Sequence, residues 1–142
     1  MCGGSHGRPA GAWPAFAAPT VPLHFSVSRR GGDVVVALAQ APVGVDLEAI
    51  PGEGGWREAA ALLHPDEQVE LAAGGPAERA AACTRLWVRK QAYLKGTGAG
   101  IAHGLDGVYV GDRPGHPDAP VGWAIDDVAL VPGFAAATAV RI

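Results

Sequence analysis

The ten residues from Leu86 to Lys95, Leu-Trp-Val-Arg-Lys-Gln-Ala-Tyr-Leu-Lys, constrain the fold of this chain most. At a helical period Cys83, Leu86, Trp87, Tyr93 and Leu94 form one apolar stripe. Pro76 suits a first helical turn, and Gly96 and Gly98 suit helix termination, so the segment closes the longest helix, from about residue 77 to residue 95. Lys90 falls in the middle of the stripe. A buried ammonium is costly unless an anion or carboxylate meets it; the alternative is that its stem carries the charge past the apolar neighbours to water. Gln91 and Lys95 lie one turn apart on the flank of the stripe, where their side chains can meet.

The segments before this helix read mostly as strands. Residues 1–22 are rich in glycine, proline and alanine and read as irregular, with Gly7-Arg8-Pro9 as a turn that presents one cation. Leu23 to Ser28 alternates apolar and polar residues, as a half-buried strand does. Arg29 to Asp33 reads as a turn carrying two arginines, and Val34 to Ala39 as a buried strand completing a hairpin. Pro42 to Glu48 is the next strand. Asp46 and Glu48 share one of its faces, while Val45 and Leu47 point the other way, into the core.

Residues 56–63 have helical composition. His64-Pro65-Asp66-Glu67 opens another helix, with proline in the first turn and two acids that complement the helix dipole. Beyond the long helix, 107–110, 121–125 and 128–140 read as strands, the last interrupted by Pro132-Gly133. Strands, then helices, then strands imply an α+β fold in a single domain spanning residues 1–142.

Bulk properties narrow the functional classes. Hydrophobic residues make up 49% of the chain, enough for a packed core. A net charge of −3 argues against a general nucleic-acid binder but leaves room for a local basic pocket. No apolar run is long enough to cross a bilayer and no secretory leader is visible, so a soluble cytoplasmic protein is expected. Two cysteines, Cys2 and Cys83, are too few for a disulfide framework or a zinc site.

Two constellations could carry chemistry. Asp46 and Glu48 are hard oxygen donors on one strand face, a pattern that suits Mg²⁺ with waters and phosphate; the same spacing also describes two acids on a solvated face. Arg8, Arg29, Arg30, Lys90 and Lys95 come from separate segments and either converge on a polyphosphate or scatter over the surface. His24, His64 and His103 lack metal-ligand spacing. Gly96 to Gly100 has the composition of a phosphate loop but follows a helix, so it reads as helix termination.

The order of these motifs resembles the 4′-phosphopantetheinyl transferases of the surfactin-synthetase-activating type. Val43-Gly44-Val45-Asp46-Leu47-Glu48 is similar to their G-[VI]-D-x-E signature, and Trp87 to Lys95 to W-x-x-K-E-A-x-x-K. Phe25 to Gly31 resembles F-x-x-S-H-S-G, His64 to Glu67 resembles the H-P-D-E helix start, and Gly7-Arg8-Pro9 the G-K-P turn. The resemblance implies an antiparallel sheet packed against a long helix, with much of the family's usual first lobe missing. It implies transfer of the phosphopantetheine arm of coenzyme A to a serine of an acyl or peptidyl carrier protein, with Mg²⁺ as cofactor. Carried over by position, Asp46, Glu48 and Gln91 would hold the metal, and Asp46, Gln91 and Lys95 would be catalytic. Arg8, Ser28, Arg29, Lys90 and Lys95 would bind coenzyme A. No nucleic-acid or membrane partner is expected, and self-association could complete the cleft.

The chain departs from the pattern at three positions. Gln91 stands for the family glutamate, Arg29 for the histidine and Arg30 for the serine that follows it. An amide can offer its carbonyl oxygen to a metal, but it carries no charge and is a poor base. Two further readings follow: a relative that binds coenzyme A or a carrier protein without transfer, and a biosynthetic enzyme that reuses the cleft.

Overall fold

A computed structural model describes residues 6–7, 22–99 and 104–142 of the chain. Strand β1, His6–Gly7, pairs with β2, His24–Arg30, and β2 pairs with β3, Asp33–Ala39. Strand β4, Val43–Ala49, belongs to a second sheet with β5, Trp123–Asp127, and β6, Phe134–Arg141, in the order β4–β6–β5. All pairings are antiparallel. Between β4 and β5 come α1, Arg57–Ala60, then α2, Pro65–Ala73, and, after a 3-10 turn at Pro76–Glu78, α3, Arg79–Thr97. The expected α+β fold, with antiparallel strands against one long helix, is the fold observed.

Helix α3 is the centre of the molecule, and it packs on β4 and β6. Its Leu86, Val88 and Ala92 join Ile125, Ala137 and Ala139 of the sheet and Leu63, Leu71 and Val110 in one core. Small residues set how closely helix and sheet approach. A Cβ added at Gly44 would lie 1.7 Å from the Ala92 carbonyl oxygen and 2.6 Å from the Gly96 nitrogen. At Gly96 it would lie 2.7 Å from the Trp123 ring. Gly96 is therefore a packing residue within the helix, and Gly98 alone, at φ 75°, provides the left-handed cap.

Helix α2 starts as its sequence implies. Pro65 occupies the first turn, the His64 side chain accepts the Asp66 N–H, and the Glu67 carboxylate accepts the His64 N–H.

Several expectations are corrected. The hairpin turn is only Gly31-Gly32, with φ 58° at Gly31, so Arg29 and Arg30 lie on β2 itself. Strand β3 is not buried: Val34, Val36 and Leu38 are all more than half exposed, because the outward face of this sheet is uncovered in the described residues. Residues 107–110 form no strand. Their polar backbone is satisfied by side chains instead of a ladder: Val108 C=O accepts from Lys90, and Val110 N–H donates to Glu67. In the region read as a strand over 128–140, the chain turns at 131–133, with Gly133 at φ 79°, and only then enters β6.

A polar clamp fixes the far side of α3. The buried Arg89 guanidinium pairs with both oxygens of Asp127 at 2.7 and 2.5 Å and donates to the carbonyls of Gly111 and Arg113. Burial alone would raise the Asp127 pKa, but the Arg89 hydrogen bonds and charge outweigh it and hold the carboxyl below the ordinary range. Its contribution to stability is therefore present above the unfolded-state pKa of about 3.9 and lost as pH falls through the lower folded-state value.

Two measurements test this packing. Gly44→Ala is expected to lower the unfolding free energy by about 3 kcal/mol or more, since backbone must move to admit the methyl group. Gly75→Ala, which meets nothing within 4 Å, should change it by less than about 0.5 kcal/mol in the same urea titrations. In acid titrations followed by circular dichroism, Asp127→Asn should flatten the loss of stability below about pH 4.

Candidate active site

The polar residues of the Phe25–Gly31 and Val43–Glu48 segments meet where β2 runs beside β4. Strand β4 pairs with β6 along one edge. Along its other edge the Val45 and Leu47 N–H groups donate to the hydroxyls of Ser26 and Ser28, each at 3.1 Å. Both serines are fully buried, and side chains rather than a backbone ladder join the two sheets here.

Period-two alternation puts Ser26, Ser28 and Arg30 on the β2 face toward β4 and leaves Arg29 exposed on the other. The pairing keeps a constant offset. Ser28 Oγ donates to Asp46 Oδ1 at 3.1 Å, and Arg30 meets Glu48, eighteen positions on in both cases.

Lys95 closes this seam from α3. Its ammonium donates to the carbonyls of Val27 at 3.1 Å and Val45 at 2.9 Å, and lies 3.5 Å from Asp46 Oδ1. It thus touches β2, β4 and the Asp46 carboxylate at once. Gln91, one turn earlier on α3, is 3% exposed, and its amide nitrogen has no hydrogen-bond partner among the described residues. Asp46 is fully buried, which rules out the reading of a solvated acidic face.

Glu48 lies beside an adjoining cavity of about 270 Å³, walled by Trp56, Cys83, Thr84 and Trp87. Burial pushes the Cys83 thiol in that wall up to about 11, so it is not a nucleophile near neutral pH.

Lys90 is placed elsewhere. It is fully buried and paired with Glu67 at 2.6 Å, and it donates to the carbonyls of Leu105 at 2.8 Å and of Val108. All three of its ammonium donors are engaged within the protein. Burial holds this ammonium below the ordinary lysine range, and Glu67 offsets part of that shift. Glu67 is the residue that sequence reasoning missed. It reads as a helix-start acid, yet the same carboxylate also accepts the Val110 N–H and anchors Lys90. Arg8 and His103 lie outside the described residues.

A divalent ion held by Asp46, Glu48 and Gln91 does not fit this arrangement. Arg30 Nε and Nη2 each lie 2.5 Å from an oxygen of Glu48. Asp46 has Lys95 and Ser28 on one oxygen, and Gln91 offers only a neutral donor atom. Among the described residues no group of three or more histidine, cysteine, aspartate or glutamate side chains is gathered to hold a metal. None of the described helices is long and apolar enough to cross a membrane.

A family model described as the 4′-phosphopantetheinyl transferase superfamily matches residues 42–123, from the start of β4 to the start of β5. The chain belongs to that superfamily. It is 38% identical over 87 residues to the 4′-phosphopantetheinyl transferase AcpT of Salmonella typhi, covering 60% of this chain and 45% of that protein. It is 41% identical over 85 residues to the 4′-phosphopantetheinyl transferase psf-1 of Bacillus pumilus, covering 58% and 35%. With the 4′-phosphopantetheinyl transferase of Bacillus subtilis it shares 30% identity over 89 residues, covering 62% of this chain and 39% of that protein. Each match thus spans less than half of the relative's own length.

The Lys90–Glu67 pair makes a structural prediction. Lys90→Met leaves a buried carboxylate uncompensated and is expected to cost about 3–5 kcal/mol in chemical denaturation. Glu67→Gln in that background should recover much of the loss, with the coupling read from a double-mutant cycle.

Proposed function

We propose that this chain binds coenzyme A at the β2–β4 seam and transfers its phosphopantetheine arm to a serine of an acyl or peptidyl carrier protein. The observation that carries the reading is the buried Ser28–Asp46–Lys95 group, in which Asp46 and Lys95 lie within the residues matched by the family model and Ser28 joins them from β2. Transfer forms a bond from the carrier serine oxygen to phosphorus and breaks the bond to the nucleotide phosphate that leaves. Such chemistry depends on positioning and charge neutralisation more than on covalent help. Lys95, fixed by two carbonyls and Asp46, neutralises charge on the leaving phosphate. Arg29 is exposed on β2 and offers a further cation to the phosphates; the resemblance to the family adds Arg8 to this set.

Gln91 supports a second reading, binding of coenzyme A or a carrier without transfer, because an amide does not accept the serine proton. Mg²⁺ enters neither reading as a step, since Glu48 is already engaged by Arg30. Cytoplasmic residence and self-association belong to the same proposal, as does a place in biosynthesis that depends on carrier proteins.

The test is the mass of apo carrier proteins incubated with coenzyme A. Transfer adds the phosphopantetheine mass to a carrier, and Gln91→Glu should raise the rate by roughly a hundredfold, the contribution typical of a positioned base. Coenzyme A bound in calorimetry with no mass added, by the wild type or by Gln91→Glu, would establish the second reading and overturn the first. No binding would remove both.

A further inference from the structure

We propose that the Arg30 guanidinium stands on Glu48 in place of a divalent cation, so that the seam receives a polyphosphate with protein cations and amide donors instead of a bound metal. The inference rests on the coenzyme A reading for the identity of its polyanion. The absence of a cation site at Glu48 stands without that reading.

Three observations meet at this point. The first is register. Ser28 faces Asp46 and Arg30 faces Glu48 with one offset between β2 and β4, so the pairing of the strands assigns an arginine to that carboxylate. A flexible surface contact would need no such register.

The second is geometry. Arg30 uses Nε and Nη2 on the two oxygens of Glu48, each at 2.5 Å, and Nη1 on the Arg29 carbonyl at 2.9 Å. This bidentate fork is the strong form of a carboxylate pair, and its third contact fixes the plane of the guanidinium. Both side chains are mostly buried, at 20% and 14% exposure, which limits screening by water. A divalent ion, and Mg²⁺ above all with its tightly held water shell, would have to displace both hydrogen bonds to reach the carboxylate.

The third is charge. The two carboxylates of the seam are matched by Arg30 and Lys95, and Gln91 adds none. Its buried amide nitrogen is an N–H donor with no partner among the described residues. Glutamine at 91 and arginine at 30 thus act in one direction. One removes a negative donor where a metal would need it, and the other brings a positive group to the carboxylate that is left. With both carboxylates matched, the seam is left with no net negative charge for a metal to neutralise.

The experiment titrates the full chain with Mn²⁺ alone, followed by electron paramagnetic resonance. The wild type is expected to show no site beyond weak surface binding. Arg30→Ser and Arg30→Gln, each checked for fold by circular dichroism, should gain a site at least about tenfold tighter, a typical effect of changing a metal's surroundings. Adding Glu48→Gln to either variant should abolish the gain. A tight Mn²⁺ site in the wild type, or no gain in either folded variant, would overturn the proposal. In calorimetry the wild type should bind coenzyme A equally well, within about twofold, in excess Mg²⁺ and in excess chelator; a requirement for Mg²⁺ would also overturn it. Failure to bind coenzyme A under both conditions would instead remove the coenzyme A reading, while the Mn²⁺ comparison would still decide the role of Arg30.

Discussion

The structure depends on how one strand edge is satisfied. Among the described residues strand β4 has a backbone ladder on one side only, and buried N–H and C=O groups on the other side must find partners. Ser26 and Ser28 supply two acceptors and Lys95 supplies a donor, which ties the first sheet, the second sheet and α3 together at one line. The polar groups that join the sheets are the same groups that form the candidate site. Ser28 bridges the Leu47 N–H and Asp46, and Lys95 bridges two strand carbonyls and Asp46. Positioning is therefore built in, because moving either side chain would open the fold.

A second polar system is separate from the first. Lys90 and Glu67 are fully buried and bind α3 to the start of α2 and to residues 105–110. Arg89 and Asp127 do the same for β5 and residues 111–115. Three of the charged residues in Trp87 to Lys95 thus point in different directions. Lys95 reaches the seam, whereas Arg89 and Lys90 hold irregular segments against the helix. One motif contains both the scaffold and the site.

Much of this was legible in the sequence. Helical periodicity located α3, alternation located β2 and β4, and His64-Pro65-Asp66-Glu67 located the start of α2. The resemblance marked Asp46 as a metal ligand and Lys95 as a phosphate contact, and the direct contact between them, at 3.5 Å, was not foreseen. What could not be read were contacts set by tertiary register. Arg30 looked like a turn residue because the two glycines after it hide how far β2 extends, and its partner lies eighteen positions away. Residues 107–110 carry strand composition, but side chains of α2 and α3 satisfy their backbone, a result no local pattern contains. Lys90 posed the right question, what anion meets a buried ammonium. Its answer, Glu67, already had a sufficient local explanation as a helix cap.

Gly44 has a wider consequence. It is part of the same signature as Asp46, yet its role is to let β4 lie against the Ala92 carbonyl. The signature therefore records two kinds of selection at once, one for close packing and one for chemistry. A steric requirement of this kind constrains the letters around a reactive position whatever side chain that position carries. Descent stays readable in such a motif long after catalysis has begun to drift, and a match to its pattern dates the scaffold more securely than it certifies the reaction.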